Sequence, residues 1–177
     1  MEETKKEKVI MKAEENTRIS DLLKEQIAES EYPVVGAKFN NEYKNLDYPL
    51  EGSGKIELID INSKEGMKVY RRTLTFIMGK AFWRTYPKAH VVVDYQLSNA
   101  MYCTIENMEV TDKMLEKVKA KMQEIIDQDL KIEKRTMTRE EAEKFYAKTN
   151  TPKGRLQFDL EDNNEINMYY CNNYYNY

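Results

Sequence analysis

Apolar residues recur at a helical period between Gly66 and Pro87, in the stretch GMKVYRRTLTFIMGKAFWRTYP. Val69, Tyr70, Leu74, Ile77, Met78, Ala81 and Phe82 make a wide stripe, which predicts one long amphipathic helix. Pro87 closes it, because the residue before a proline is pushed out of helical backbone geometry. A second row at four-residue steps, Lys68, Arg72, Phe76, Lys80 and Arg84, is cationic except for one aromatic. The alternation on either side of this helix predicts a small strand-rich segment before it and a larger mixed segment after it.

Before the helix, Val9–Lys12 reads as a short strand. Ile19, Leu22, Leu23 and Ile27 form a helical stripe, opened by Ser20 as cap and Asp21 as first-turn acid. PVVGAKF, from Pro33, suits a buried strand, and Asn40-Asn41 is a hairpin turn into Glu42–Tyr43. After a turn at Gly52-Ser53-Gly54, Lys55–Ile61 alternates as a strand. This order is that of a β-grasp domain over residues 1–64.

After the helix, residues 65–177 read as a second domain. His90–Leu97 and Ala100–Glu106 are strands rich in Val, Tyr and Ile, joined by a turn at Ser98-Asn99. Thr111 caps a helix with Asp112 in its first turn, and Met114, Leu115, Val118, Met122, Ile125 and Ile126 give its stripe. Leu130–Arg135 reads as a strand. Thr138 and Glu141 stand at the N-cap and N3 positions of a capping box, opening a helix that buries Ala142, Phe145 and Tyr146. Pro152-Lys153-Gly154 breaks that helix, Arg155–Leu160 fits strand or helix, and Met168–Tyr177 (MYYCNNYYNY) ends the chain as a strand. The expected fold class is α+β: a small β-grasp domain, then an α+β domain whose long helix packs on an antiparallel sheet.

The net charge of −3 gives no global basic field for nucleic acid, although a local basic row remains. Two distant cysteines outside any CxxC indicate reduced thiols and a cytoplasmic setting rather than a disulfide framework. No apolar run approaches the ~20 residues of a membrane span, so no membrane partner is expected.

The segment VVGAKFNNEYKNLDYPLEGSGKIELIDINSKEGMKVYRRTL resembles the TGS domain and its junction in threonyl-tRNA synthetases. VVDYQLSNAMYCTIE and the helix–strand–helix from Val110 to Tyr146 resemble the second additional, editing-type domain shared by threonyl- and alanyl-tRNA synthetases. In that family the long helix carries an HxxxH pair facing the cleft, where both histidines reach one zinc or one substrate. The matching positions here are Arg72 and Phe76. Arg72 stays protonated and Phe76 has no donor atom. The resemblance puts the later Cys and His ligands at and beyond the end of this chain, and the only histidine, His90, has no partner. No catalytic residue and no metal site are therefore expected.

GMKVYRRTL, EIIDQDLKIEK and MYYCNNYYNY resemble the version found before the kinase domain of bacterial uridine kinase-like proteins of the phosphoribulokinase/uridine kinase family. That resemblance implies a non-catalytic ligand-binding or regulatory module. Its partner would be its own C-terminal kinase domain, an ATP- and Mg-dependent phosphotransferase, and the aromatic tail would be cut from that longer chain. The fragment itself has no cofactor, since Gly79-Lys80 lacks the flanking residues of a phosphate-binding GxxxxGK[ST] loop. The alternatives are a tRNA- or RNA-binding module and a metal-free aminoacyl-tRNA editing hydrolase with Asp94 or Glu106 as base.

Arg72, Lys80 and Arg84 make a candidate anion row for nucleotide or tRNA, and Phe76 a candidate base-stacking residue. The plainer alternatives are a solvated face paired with acids such as Glu65 and, for Phe76, the core. Tyr95, Tyr102, Tyr169 and Tyr170 line a pocket or pack structurally. Cys103 and Cys171, as lone strand thiols, are expected to be buried and inert.

Overall fold

A computed structural model describes residues 9–11, 16–97, 100–149 and 165–176. It is α+β, with antiparallel pairing throughout, and divides into two compact units, Met1–Thr73 and Leu74–Tyr177. The division falls inside the long helix, α3 (Lys64–Thr85).

In the first unit, β1 (Val9–Met11), β2 (Val34–Phe39), β3 (Glu42–Lys44) and β4 (Gly54–Asp60) form one sheet in the order β1-β4-β2-β3. The β2–β3 hairpin turns on Asn40 and Asn41, at φ 50° and 69°. Asparagine tolerates the left-handed backbone that a two-residue hairpin loop needs. The Asn40 carboxamide oxygen also accepts from the Lys55 amide (3.0 Å), tying the turn to β4.

The segment expected as one helix is two short pieces, α1 (Ile19–Leu22) and α2 (Lys24–Ala28), meeting at Leu23. Ser20 is not the cap. The amides of Ile19 and Ser20 donate to the carbonyls of Tyr48 (3.2 Å) and Leu46 (2.8 Å), so loop backbone satisfies the free helix donors. Ile19 and Leu23 are buried with Ala37, Phe39, Leu50 and Ile56.

Helix α3 starts two residues before the expected Gly66. Ser63 is its cap, since the Gly66 amide donates to Ser63 Oγ (3.0 Å). Buried Asp60, the last residue of β4, accepts from the amides of Asn62 and Ser63 (3.1 Å each), and Ser63 Oγ donates to its carbonyl (2.7 Å). Gly66 is pressed onto this corner: a β-carbon there would lie 1.8 Å from the Asp60 carbonyl oxygen. Of the expected apolar stripe, Val69 and Tyr70 are exposed, Leu74, Ile77 and Met78 are half-buried, and Ala81 and Phe82 are buried. The stripe is a core only where a partner covers it.

In the second unit, β5 (Val91–Leu97) pairs with β6 (Ala100–Ile105), with a bulge between Val93 and Tyr95. The expected Ser98-Asn99 turn lies outside the described residues. Helix α4 (Asp112–Asp127) is capped by Thr111, whose side chain accepts from the Met114 amide (3.3 Å). Its Met114, Val118 and Ile125 pack with Ala81 and Phe82 of α3.

The next strand, β7, is Glu133–Thr138, three residues later than the apolar Leu130 and Ile132 suggested. Leu130 is exposed, and Met137 instead packs with Ala142, Ile166 and Met168. Thr138 ends the strand and caps α5 (Arg139–Thr149). The Glu141 amide donates to Thr138 Oγ1 (3.3 Å), and the Glu141 carboxylate accepts from the Thr138 amide (2.9 Å) and hydroxyl (3.0 Å). Those hydrogen bonds hold the Glu141 carboxyl below the usual carboxylate range. The expected core role of Tyr146 and the readings for residues 152–160 lie outside what is described.

The chain's last stretch is a hairpin rather than one strand. β8 (Glu165–Cys171) turns at Asn172 and Asn173 (φ 41° and 66°) into β9 (Tyr174–Asn176), completing the sheet β7-β8-β9. Among the described residues no helix is long and apolar enough to cross a membrane.

Gly66→Ala tests the helix start. On an open helix this change gains up to ~1 kcal/mol of propensity. Here the clash with Asp60 should reverse the sign and cost ~1–3 kcal/mol, as overpacking does. A lowered midpoint in chemical denaturation is the expected reading.

Candidate functional site

The residues singled out on the polar row of α3 do not share one environment. Arg72 and Arg84 are exposed, whereas Phe76 and Lys80 are buried, at 6% and 2% exposure. Arg72 belongs to the first unit and the other three to the second. Glu65, the acid offered as a partner for the row, pairs instead with Lys38 (3.5 Å). Its own amide at the helix start, and then Lys38, hold its carboxyl low.

In the second unit, the β8–β9 hairpin closes over this face of α3. The Phe76 ring meets Tyr174 edge-on at 5.1 Å between centroids, and Trp83, two turns further, lies 5.7 Å from the same ring. Gly79 lies between them on the helix. A β-carbon there would come within 2.5 Å of the Tyr174 hydroxyl, so the phenol lies across bare backbone. Phe76, Cys171 and Tyr174 form one buried cluster, with Trp83 and Ile132 at its edge. Phe76 is therefore core, as its plainer alternative has it, and is not open to stack a base.

Lys80 departs from the solvated row expected of it. Its Nζ donates to Cys171 Sγ at 3.0 Å, and both residues are 2% exposed. A lysine head group so placed has lost its hydration and gained a weak acceptor. Arg84, by contrast, keeps its guanidinium at the surface, 4.8 Å from the Trp83 ring centroid.

The four tyrosines expected to line one pocket fall into separate arrangements. Tyr95 and Tyr102 are opposed across β5–β6 just past the bulge and stack at 5.0 Å, both exposed. Tyr170 packs on Tyr175 at 4.6 Å, under the Arg135 guanidinium 3.5 Å away, while Tyr169 is exposed. Arg135 was not among the expected site residues. It donates to Glu133 and to the Tyr175 hydroxyl (2.9 Å each), contacts that raise its pKa. Only the β7–β8–β9 register reveals this arrangement, since Arg135 and Tyr175 are far apart in sequence.

Cys103 is exposed, contrary to expectation, while Cys171 is buried. Partial burial and the nearby Asp94 push the Cys103 thiol up, away from its reactive thiolate form. Asp94, nominated as a base, accepts from the Thr104 hydroxyl (2.8 Å), and Glu106 is exposed. His90 is half-buried, and its backbone amide donates to Asn107 Oδ1 (2.8 Å). Among the described residues no group of three or more His, Cys, Asp or Glu is placed to share a cation.

Tyr174→Ala should remove the ring that seats on Phe76 and cost ~3–5 kcal/mol, the range for large-to-small aromatic truncation in a core. Tyr95→Ala removes an exposed ring and should cost well under half of that. Denaturation of the two variants side by side checks the difference.

No family model matches the chain. It is 30% identical over 138 residues to a threonine–tRNA ligase of Clostridium kluyveri and 33% identical over 138 residues to one of Acetivibrio thermocellus. It is 29% identical over 168 residues to a threonine–tRNA ligase of Clostridium tetani. These matches take in 77%, 77% and 94% of this chain but only 22%, 22% and 26% of the relatives. The chain thus spans about a quarter of the length of the curated relatives it matches. The similarity supports a tRNA-synthetase-related chain, and the reported relatives lend nothing to the uridine kinase part of the resemblance.

Proposed function

We propose that this chain is a tRNA-synthetase-related module that holds tRNA without metal-dependent hydrolysis. The observation that carries the reading is the similarity to threonine–tRNA ligases, which extends over 77–94% of the chain. The side chains fit the second half of it. At the two helix positions where the editing resemblance would place a histidine pair stand exposed Arg72 and buried Phe76. A guanidinium binds phosphate and does not ligate zinc, and a phenylalanine packed on Tyr174 offers no donor.

Arg72 and Arg84 are the exposed guanidinia of α3 and serve as separate contacts to the RNA backbone. Lys80 is buried and does not take part. With a net charge of −3, the contacts are few and the binding is weak and salt-sensitive. The reading in which the module regulates an attached uridine kinase-like domain, with a nucleotide or a tRNA-like ligand, has none of the reported relatives behind it.

Fluorescence anisotropy with labelled tRNA across a salt series tests the proposal. Binding should weaken with salt at a log–log slope of about −1 to −2, as expected for one or two neutralised phosphates. Arg72→Ala and Arg84→Ala should each lower that slope by about 1. Absence of tRNA binding at low salt would overturn the reading. A thermal shift with nucleotide alone, abolished in Arg72→Ala, would favour the kinase-associated reading instead.

A further inference from the structure

The buried Lys80–Cys171 contact has no role in the proposed binding of tRNA. Both residues are 2% exposed, and Nζ lies 3.0 Å from Sγ. They come from different elements, α3 and β8. Phe76, Tyr174, Trp83 and Ile132 form the cluster around the sulfur, so little water is present to compete for anything formed there. Among the described residues, the sulfur is the hydrogen-bond partner of the Lys80 head group. A primary amine held against a thiol in an apolar enclosure is a nucleophile waiting for an electrophilic sulfur.

We propose that Lys80 and Cys171 form an oxidant-dependent covalent cross-link, a sulfenamide, that fastens α3 to the β8–β9 hairpin. The oxidant is a hydroperoxide. It transfers one oxygen to the Cys171 thiol, giving a sulfenic acid, and its O–O bond accepts the two electrons the sulfur loses. The unprotonated Lys80 nitrogen then attacks Sγ. The S–N bond forms as the S–O bond breaks, and the hydroxyl leaves as water with a proton from nitrogen. Overall, amine, thiol and one hydrogen peroxide give the sulfenamide and two waters.

Access does not require unfolding of the unit. Cys171 is the last residue of β8, and exposed Asn172 and Asn173 follow it. Local opening of the exposed turn between Cys171 and its strand partner Tyr174 would admit a small oxidant. An external thiol reverses the link by attacking sulfur and releasing the amine.

The experiment uses the full chain carrying Cys103→Ser, which removes the exposed thiol and leaves Cys171 as the single one. The protein is titrated with hydrogen peroxide, digested with trypsin without reduction, and mapped by mass spectrometry. The expected product joins the Lys80 and Cys171 peptides, two hydrogens lighter than their sum, with cleavage after Lys80 lost. It should vanish on treatment with dithiothreitol. The thermal midpoint should rise on oxidation and return on reduction.

Cys171 found as sulfenic, sulfinic or sulfonic acid, with normal cleavage after Lys80, would overturn the proposal. So would a Cys171 left unmodified at peroxide concentrations that oxidise it in the urea-unfolded chain. Lys80→Met and Lys80→Arg both remove the nucleophile while filling the space. In whichever of them folds, Cys171 should advance to the sulfinic and sulfonic acids. An equal yield of dithiothreitol-reversible product in such a variant would also sink the idea.

Discussion

The close approach of Tyr174 to the bare backbone at Gly79 is the constraint on which the second unit's α3–hairpin packing depends. A side chain at that position would hold the phenol away from the helix. With glycine there, the ring drops between Phe76 and Trp83, and the hairpin carries Cys171 down onto the same face. Glycine inside a helix costs about 1 kcal/mol relative to alanine. Burial of two aromatic rings against one another contributes more than that. The helix is locally weaker so that the packing can be tighter.

That packing also creates the least comfortable group in the unit. Lys80 lies one residue beyond Gly79 and is carried inside with it. Its head donates to a sulfur, a weaker acceptor than a carboxylate. Buried polar groups of this kind rarely add net stability over an apolar residue of equal volume. Lys80 therefore stands out as a residue that packing alone does not explain. Arg84, one further turn along the helix, shows the ordinary solution: it stays exposed, with its guanidinium over the Trp83 ring.

Much of the fold is legible in local chemistry. The Thr111 cap and the Thr138–Glu141 box lie where the sequence places them, because a cap depends on residues three apart and on little else. The Asn40-Asn41 turn is equally local. Asn172-Asn173 carries the same signal, yet reads as part of a strand because tyrosines flank it on both sides. Ser20 fails as a cap because the helix starts before it, at Ile19, held there by distant carbonyls of Leu46 and Tyr48; the Leu22 and Leu23 amides a Ser20 cap would serve donate to Arg18 and Ile19 instead. The site is less legible than the fold. A row at i, i+4 steps shows which side chains share a face, but not which part of that face another element will cover. Phe76 and Lys80 are covered by the hairpin, and Arg135 finds Tyr175 only through strand register.

The covering hairpin also bears on how the chemistry of this helix can change. Phe76 is more than a missing ligand, for it forms one wall of the cluster that receives Tyr174. An imidazole there would have to leave water for an apolar enclosure, with Cys171 already engaged by Lys80. Arg72, exposed, is under no such packing constraint. The two positions four residues apart thus sit in different environments, one packed and one open to solvent. A metal-binding pair at these two positions would require a different hairpin over the helix as well as two different side chains.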